Sequence, residues 1–275
     1  MSGMEQTFPR PEPVETWDRG EPLERYVGRW SRLVAREFVA WLAVGLGRRW
    51  LDVGCGPGAL AETIVVHAAP AAVVGVDRSE GYVRYARDHV RDPRVRFEVG
   101  DAQALALSGE PYDVAASGLL LNFLPQPRRA VEAMARAVRA AGGLVASYVW
   151  DYAGRMELMR RFWNAAAALD PGARDLDEGR RFPLCQADPP ARLFREAGLE
   201  GVETRGIDVP TIFRDFDDYW SPFLGGQGPA PGYALSLDED QRERLRERIR
   251  ADLPVQPDGS IHLVARAWAV RGVRR

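Results

Sequence analysis

The middle third of the chain alternates short apolar runs with segments of helical periodicity. The apolar runs predict buried strands at residues 50–53, 73–76, 95–99, 112–117 and 144–150. Between them, apolar residues on one helical face predict helices at 59–68, 79–90 and 127–140. Strands that alternate with helices at this interval are joined by right-handed crossovers. The pattern therefore predicts a parallel sheet with helices on both faces.

The regular alternation of strands and helices ends on either side of this core. Apolar residues at helical spacing predict an amphipathic helix over 31–42 and a helix with a bulky apolar stripe over 156–166. Runs at 202–209 and 261–270 predict an antiparallel finishing pair of strands. Together these elements predict a doubly wound, Rossmann-like α/β fold. Its seven-stranded sheet is expected to be mostly parallel, with the last strand antiparallel, and to carry helical lid insertions.

The same pattern divides the chain into a core and its additions. The expected units are an N-terminal tail and lid helix at 1–46, a Rossmann-like core at 47–210 with a lid segment at 151–187, a helical insertion or lid at 211–258, and a final core strand at 259–275. Within the insertion, the spacing Ser236-x-x-Glu239 predicts a capping box and a helix through Leu253.

Composition excludes several classes of function. Among 275 residues, Lys and Arg total 37 and Asp and Glu total 39, and the net charge of -2 gives no positive field for nucleic acid or anionic lipid. The chain contains no Lys, which excludes chemistry that needs a lysine amine, such as a pyridoxal Schiff base. Two cysteines and three histidines are too few for a disulfide framework or a histidine-built metal centre, so no metal is expected.

The sequence also lacks the marks of membrane targeting. It has no basic-then-apolar signal pattern, and no window reaches the roughly 18 apolar residues that cross a bilayer. We therefore expect a cytoplasmic protein, a monomer or homodimer, that acts on a small molecule rather than on nucleic acid or a membrane.

The most informative stretch is Trp50-Leu51-Asp52-Val53-Gly54-Cys55-Gly56-Pro57-Gly58, which joins a strand to a helix. Glycines at such a junction let backbone amides approach a ligand, because no β-carbon intervenes. Read as Gly54-x-Gly56-x-x-Ala59, the stretch loosely satisfies the dinucleotide fingerprint of nicotinamide and flavin enzymes. That interpretation leaves Asp52 unexplained, since a carboxylate inside a buried strand needs a partner in the loop or the ligand.

Read as acidic-x-Gly-x-Gly-x-Gly, the stretch resembles the class I S-adenosylmethionine-dependent methyltransferases. Further elements follow in that family's order: Val76-Asp77, Gly100-Asp101-Ala102, Tyr112-Asp113-Val114 and Ala141-Gly142-Gly143-Leu144. The resemblance, which runs from about 47 to 150, implies that Asp77 accepts the ribose hydroxyls and that Asp101 and Ala102 hold the adenine. It also implies S-adenosyl-L-methionine as cofactor and S-adenosyl-L-homocysteine as product.

The segment Tyr26-Val27-Gly28-Arg29-Trp30-Ser31 resembles the part of bacterial small-molecule members of this superfamily that folds over the cofactor. There Arg29 would clamp the methionine carboxylate, and Tyr26 or Trp30 would face the sulfonium; the alternative is a lid helix that packs Trp30 into the core. The residues that the resemblance assigns to the cofactor are Tyr26, Arg29, Asp52, Gly54, Cys55, Gly56, Gly58, Asp77, Arg78, Asp101, Ala102, Ser117 and Leu119.

The acceptor is expected over the carboxyl ends of the fourth and fifth strands, where open α/β sheets bind ligands. The residues expected to line its site are Asn122, Phe123, Trp150, Trp163, Tyr219 and Trp220. If a base is needed, the nearest groups are Tyr148, Asp151 and Tyr152, although holding the acceptor in line with the methyl group can suffice. The aromatic residues of the insertions indicate a small, largely apolar or aromatic metabolite.

The end of the fourth strand narrows the substrate class. It reads Ser117-Gly118-Leu119-Leu120 and lacks the Asn/Asp-Pro-Pro-aromatic element of methyltransferases that act on adenine or glutamine amino groups. Two other functions stay open: an NAD(P)-dependent oxidoreductase, and a non-catalytic S-adenosylmethionine-binding protein whose lids block the acceptor crevice.

Overall fold

The computed structural model describes residues 28–105, 109–225 and 228–275. Its strands are β1 Arg49–Val53, β2 Ala72–Asp77, β3 Val95–Val99, β4 Val114–Gly118, β5 Leu144–Trp150, β6 Glu200–Phe213 and β7 Ile261–Val273. In the described residues they form one seven-stranded sheet in the order β3-β2-β1-β4-β5-β7-β6. Strands β1 to β5 pair in parallel, and β7 runs antiparallel to both β5 and β6. The predicted fold class is confirmed.

The helices connect and flank this sheet. They are α1 Arg29–Leu42, α2 Ala59–Ala68, α3 Glu80–His89, α4 Pro127–Ala137, α5 Glu157–Leu169, α6 Glu178–Arg181, α7 Asp188–Glu196, α8 Phe216–Trp220, α9 Pro229–Ser236 and α10 Glu239–Asp252. Along β5, Tyr148 packs against Phe38 of α1 with ring centroids 4.8 Å apart. The β5 residues Ser147, Tyr148 and Val149 also line a small cavity with Leu193 of α7. Successive side chains of a strand point to opposite faces, so helices cover both faces of the sheet.

The strand order fixes where a ligand site can form. The chain builds β1, β2 and β3 outward in one direction and then returns to place β4 on the other side of β1. This reversal leaves a crevice at the carboxyl ends of β1 and β4, which is where open α/β sheets bind ligands. The glycine-rich stretch follows β1 and therefore lies at this crevice.

The segments outside the sheet have an aromatic core of their own. Phe162 of α5 stacks on Phe223 with centroids 4.6 Å apart, and Trp163 lies 5.6 Å from Tyr233 of α9. Tyr219 of α8 completes the cluster, 5.6 Å from Phe223. All five side chains are buried, so the two insertions pack against each other and hold each other in place.

Two element boundaries differ from the predicted ones for a reason that the contacts show. The helix predicted over 127–140 ends at Ala137, because Val138 forms an isolated β-bridge with Tyr112. The capping box that begins α10 is Asp238 with Gln241, not Ser236 with Glu239. The Ser236 hydroxyl instead donates to the Tyr233 carbonyl oxygen, 2.8 Å away, at the end of α9.

Candidate functional site

The loop after β1 is held in a left-handed backbone by glycine. Gly54, Gly56 and Gly58 have φ of 71°, 51° and 98°, a region that residues with a β-carbon rarely adopt. The amides of Gly54 and Cys55 both donate to the Val76 carbonyl oxygen, at 2.7 and 3.1 Å. These bonds tie the loop to the end of β2.

The three glycines face different surroundings. A β-carbon on Gly54 would lie 2.5 Å from the Leu120 side chain, and one on Gly58 would lie 2.9 Å from Val90. A β-carbon on Gly56 would meet no atom of the described protein within 4 Å. The first and last glycines are therefore required by packing within the protein, whereas Gly56 faces open space in which a ligand can approach the backbone.

Asp77 joins the glycine loop to the end of β2. Its two carboxylate oxygens accept the amides of Gly56 and Ser79, each at 2.9 Å. Burial raises the pKa of Asp77, and these two amides and the exposed Arg78 guanidinium oppose the rise. Each oxygen keeps a further lone pair that can accept a ligand hydroxyl.

The end of β3 lies beside Asp77. The Gly100 amide donates to the Asp77 carbonyl oxygen at 2.9 Å. The next residue, Asp101, is exposed and accepts the Gln103 amide at 2.9 Å, while Ala102 is buried. The two acids predicted to hold the ribose and the adenine thus lie at adjacent strand ends.

Asp52 is an isolated acid inside the sheet. The residue has 0% exposure, and neither of its carboxylate oxygens has a hydrogen-bond partner among the described residues. Burial raises the pKa of Asp52 from 3.8 to about 8, and the charge of Asp77 adds to the rise. Burial and the charge of Asp52 likewise raise the pKa of the neighbouring Cys55 thiol. Such a carboxylate is poised to take a cation.

The end of β4 adds a strained turn to the crevice. Leu119 has a φ of 59°, which is rare for a bulky residue, and its amide donates to the Tyr148 carbonyl oxygen at 2.8 Å. This turn directs the Leu120 side chain onto Gly54. Ser117, predicted to contact the cofactor, is fully buried, and its hydroxyl has no hydrogen-bond partner among the described residues.

The three predicted base residues, Tyr148, Asp151 and Tyr152, are all buried in this structure. Asp151 accepts the amides of Gly154 and Arg155, at 2.9 and 3.0 Å, and so closes the turn after β5. Burial raises the phenol pKa of Tyr148 and of Tyr152, with the charges of Asp52 and Glu178 adding to the two rises. A phenol with a raised pKa is a poorer base at neutral pH. The geometry therefore fits catalysis by positioning.

The predicted carboxylate clamp also has a different partner. Arg29 donates to both carboxylate oxygens of Asp218, each at 3.2 Å, and its guanidinium lies over the rings of Trp30 and Phe213. Trp30 itself is buried, edge-on to Phe213. Arg29 thus ties the start of α1 to α8, and the alternative of a packed helix is the one observed. Tyr26 lies outside the described residues.

Most of the aromatic residues predicted to contact the acceptor are packed within the protein. Trp150, Trp163, Tyr219 and Trp220 are all buried. The Tyr219 hydroxyl donates to the Leu158 carbonyl oxygen at 3.0 Å, and the Trp163 indole N–H donates to Glu178. Trp163 and Tyr219 belong to the second aromatic core of the insertions, and Trp150 is the last residue of β5. Asn122 and Phe123 remain partly exposed at the end of β4.

Sequence reasoning missed Glu178, an acid buried in the first insertion. It begins α6, is 1% exposed and accepts the Trp163 indole N–H. Burial raises its pKa from 4.5 to about 7, partly offset by the Trp163 bond. No sequence signal marked it, because Glu178 stands in a run of charged residues that is typical of a solvated surface.

Glu178→Gln is expected to flatten the pH dependence of stability. Because the folded pKa lies above the unfolded one, stability is full below pH 4.5 and falls as the pH rises to about 7. The loss amounts to about 3 kcal/mol, and glutamine removes it while still accepting the Trp163 N–H. Urea unfolding at pH 5 and pH 8 measures the slope, with the exposed Glu196→Gln as control. An equal dependence of the unfolding free energy on pH in wild type and Glu178→Gln would refute the raised pKa of Glu178.

The described residues provide neither a membrane-spanning helix nor a cluster of metal ligands. None of the described helices is both long and apolar enough to cross a membrane. Within 28–105, 109–225 and 228–275, no group of three or more His, Cys, Asp or Glu side chains could hold a metal ion.

The region that contains the glycine loop and Asp77 has a counterpart among protein families. Residues 51–142 match the model of the methyltransferase domain. Over these residues the chain is similar to methyltransferase domains. The match spans β1 to the turn before β5 and so includes Asp52, Asp77 and Asp101. The resemblance inferred from the sequence motifs is confirmed.

Curated bacterial proteins match the methyltransferase domain in sequence. Trans-aconitate 2-methyltransferase of Variovorax paradoxus is 30% identical over 148 residues, which is 54% of this chain and 55% of that protein. Ubiquinone biosynthesis O-methyltransferase of Alkalilimnicola ehrlichii is 37% identical over 115 residues, 40% of this chain and 46% of that protein. The chain spans about half the length of the curated relatives it matches.

Solved structures share the fold. Protein BH2331 of Bacillus halodurans has a TM-score of 0.57 at 14% identity, covering 87% of this chain and 98% of that chain. Haemonchus contortus phosphoethanolamine N-methyltransferase 2, in complex with S-adenosylhomocysteine, has a TM-score of 0.53 at 16% identity, covering 95% and 60%. The [4+2]-cyclase SpnF has a TM-score of 0.53 at 19% identity, covering 90% and 81%. At these identities the likeness establishes the fold alone.

Proposed function

We propose that the protein is an S-adenosylmethionine-dependent methyltransferase that transfers a methyl group to a small, largely apolar or aromatic metabolite by in-line displacement. The observation that carries the proposal is the joint arrangement of Asp52, Gly56 and Asp77 inside a methyltransferase domain. One hydrogen bond, from the Gly56 amide to Asp77, links the glycine loop to the acid at the end of β2.

The residues present fit S-adenosylmethionine. The orphaned, buried carboxylate of Asp52 suits the ammonium group of the amino-acid part, directly or through water. Gly56 offers backbone next to open space, and Asp77 has lone pairs left for a ribose diol. Asp101 and Ala102, at the next strand end, would hold the adenine.

The cofactor, when bound, supplies an electrophilic methyl group on a sulfonium. The chain's task is then to hold an acceptor lone pair in line with that methyl group and to exclude water. Because Tyr148, Asp151 and Tyr152 are buried and engaged, we infer that positioning, not a general base, supplies the rate enhancement. The packed insertions provide the rigid frame that positioning needs.

The acceptor class rests on the partly exposed end of β4 and on the relatives. One relative is named for the methylation of trans-aconitate and another for ubiquinone biosynthesis. Both names refer to small-molecule metabolism, which supports a small-molecule acceptor here. The proposal includes the division at 1–46, 47–210, 211–258 and 259–275, with lids near the acceptor, and a cytoplasmic protein that works as a monomer or homodimer.

The two alternative functions require different contacts from the same residues. An NAD(P)-dependent oxidoreductase leaves Asp52 with no partner, because a dinucleotide loop does not use an acid two residues before its first glycine. A non-catalytic S-adenosylmethionine-binding protein keeps every cofactor contact and loses only transfer. The [4+2]-cyclase SpnF shares the fold, so the fold by itself does not fix the reaction.

A thermal-shift panel of S-adenosylmethionine, S-adenosylhomocysteine, NAD and NADP tests the cofactor. A ligand at ~100 times its dissociation constant stabilises the folded state by roughly 2.7 kcal/mol. We expect shifts with the first two compounds and none with NAD or NADP. In Gly56→Ala the new methyl group meets no atom of the described residues within 4 Å, and the positive φ adds only local strain. We therefore expect a folded, somewhat less stable protein with weakened shifts. Stabilisation by NAD or NADP alone would overturn the proposal.

A further inference from the structure

Three aromatic rings from three separate segments meet at the carboxyl ends of β4 and β5. Phe123 follows β4, Tyr152 follows β5, and Phe182 follows α6 in the first insertion. The Phe182 ring lies edge-on to Phe123, with centroids 5.1 Å apart and planes at 73°, and 6.1 Å from Tyr152. No sequence motif brings these residues together; the docking of the insertion does.

These rings differ in exposure from the other aromatic residues of the insertions. Phe162, Trp163, Tyr219 and Phe223 are at most 1% exposed and form the second core. Phe123 and Phe182 are only partly buried, with Tyr152 beneath them. Partly exposed aromatic surface at the strand ends where this fold binds ligands is surface that a ligand can cover.

Phe182 is held rigidly on this surface. Its amide donates to the Glu178 carbonyl oxygen and its own carbonyl oxygen accepts the Cys185 amide, both at 3.0 Å. A β-carbon on Gly179 would lie 2.8 Å from the Tyr152 carbonyl oxygen, so α6 lies directly on the chain after β5. The ring is therefore pre-positioned, which lowers the entropy cost of binding against it.

A polar group without a partner accompanies the rings. The Asn122 side-chain amide nitrogen is buried and has no hydrogen-bond partner among the described residues. An unsatisfied buried amide is costly, so a ligand group that bonds to it gains affinity. A hydroxyl suits this position, because it both donates and accepts and can therefore pair with the side-chain amide in either orientation.

We propose that Asn122, Phe123, Tyr152 and Phe182 form the acceptor site, and that it takes a planar aromatic ring bearing a hydroxyl group. Phe182 selects the ring and Asn122 selects the hydroxyl. This inference rests on the proposed methyltransferase function and deepens it by naming the substrate class.

Three probes of matched size separate the two selections: p-cresol, toluene, which lacks the hydroxyl, and 4-methylcyclohexanol, which lacks the aromatic ring. Dissociation constants are measured by ligand-observed NMR with saturating S-adenosylhomocysteine present. We expect wild type to bind p-cresol about fivefold more tightly than either of the others, the scale of one net hydrogen bond or one aromatic pair.

Each variant is expected to remove one preference. Phe182→Leu should bring the p-cresol to 4-methylcyclohexanol ratio close to one and keep the preference over toluene. Asn122→Leu should bring the p-cresol to toluene ratio close to one and keep the preference over 4-methylcyclohexanol. Phe216→Leu is the matched control, since Phe216 is also partly buried but lies in α8, against Tyr219 and Arg250. Each ratio is read within one protein, so a change in stability does not mimic the result.

The outcomes distinguish this inference from the proposed function. Binding of S-adenosylhomocysteine by wild type with equal affinities for the three probes, or ratios that neither variant changes, overturns the acceptor site alone. Failure of wild type to bind S-adenosylhomocysteine in calorimetry overturns the methyltransferase function. If Phe182→Leu does not fold, the toluene ratio in Asn122→Leu still decides whether the hydroxyl is recognised here.

Discussion

Asp77→Ala is expected to weaken the binding of S-adenosylhomocysteine by about a hundredfold or more. The carboxylate would give up two charge-assisted hydrogen bonds to the ribose, each worth roughly 1.5 to 3 kcal/mol. It would also release the amides of Gly56 and Ser79, which it now accepts at 2.9 Å. The loop would keep the bonds of the Gly54 and Cys55 amides to Val76 but lose the one that fixes Gly56. Isothermal titration calorimetry measures the affinity.

Two further variants separate ligand contact from loop structure. Asp77→Asn keeps an oxygen that can accept one backbone amide and removes the charge, so we expect an intermediate loss of affinity. Asp92→Ala is the control, because Asp92 pairs with Arg94 in the loop before β3 and takes no part in the site. An unchanged affinity in a folded Asp77→Ala protein would remove Asp77 from the cofactor site.

Asp52→Asn is expected to remove a large pH dependence of stability from the cofactor-free protein. The pKa of Asp52 rises from 3.8 to about 8 on folding, so the folded state binds the proton more tightly. Stability is then full below pH 3.8 and is lost as the pH rises to about 8, at about 1.4 kcal/mol per pH unit. By pH 7 the loss reaches about 4 kcal/mol. Asparagine does not titrate, so the difference in unfolding free energy between wild type and variant should shrink toward low pH.

The same substitution tests what the buried acid is for. A cationic ammonium group that binds near Asp52 favours its ionised form, so binding of S-adenosylhomocysteine below pH 8 should release a proton. Calorimetry in two buffers of different ionisation enthalpy counts that proton. We expect close to one in wild type at pH 7, none in Asp52→Asn, and weaker binding by the variant. Equal proton release in both proteins would show that Asp52 does not face the ligand's charge.

The fold and the cofactor motifs could be predicted because their signals are local. Alternating apolar runs and helical periods give the order of strands and helices, and the chirality of crossovers then limits the topology. Asp52, the glycines and Asp77 each lie at a strand end, so their meeting follows once the sheet is parallel. Gly56 could be singled out for the same reason, since its left-handed backbone and nearness to a ligand both follow from the tight turn after β1.

The residues that line the acceptor site could not be predicted in this way. Trp163, Tyr219 and Phe182 have the same apolar character in the sequence, yet the first two are sealed in the second core and the third is partly exposed. Arg29 pairs with Asp218, 189 positions away, and Glu178 is buried although its neighbours in the sequence are charged. The apolar pattern of a sequence predicts that a side chain is buried, but it does not predict which residues pack against it.

The sequence by itself therefore determined the sheet, the class of domain and the side of the sheet on which the cofactor motifs gather, because periodicity and glycine geometry act over a few residues. Only the tertiary structure decided which aromatic rings face outward, which acids lose their solvent and which arginine is already paired. These properties depend on contacts between segments far apart in the chain, and the energies of burial and ion pairing exist only once those segments are packed together.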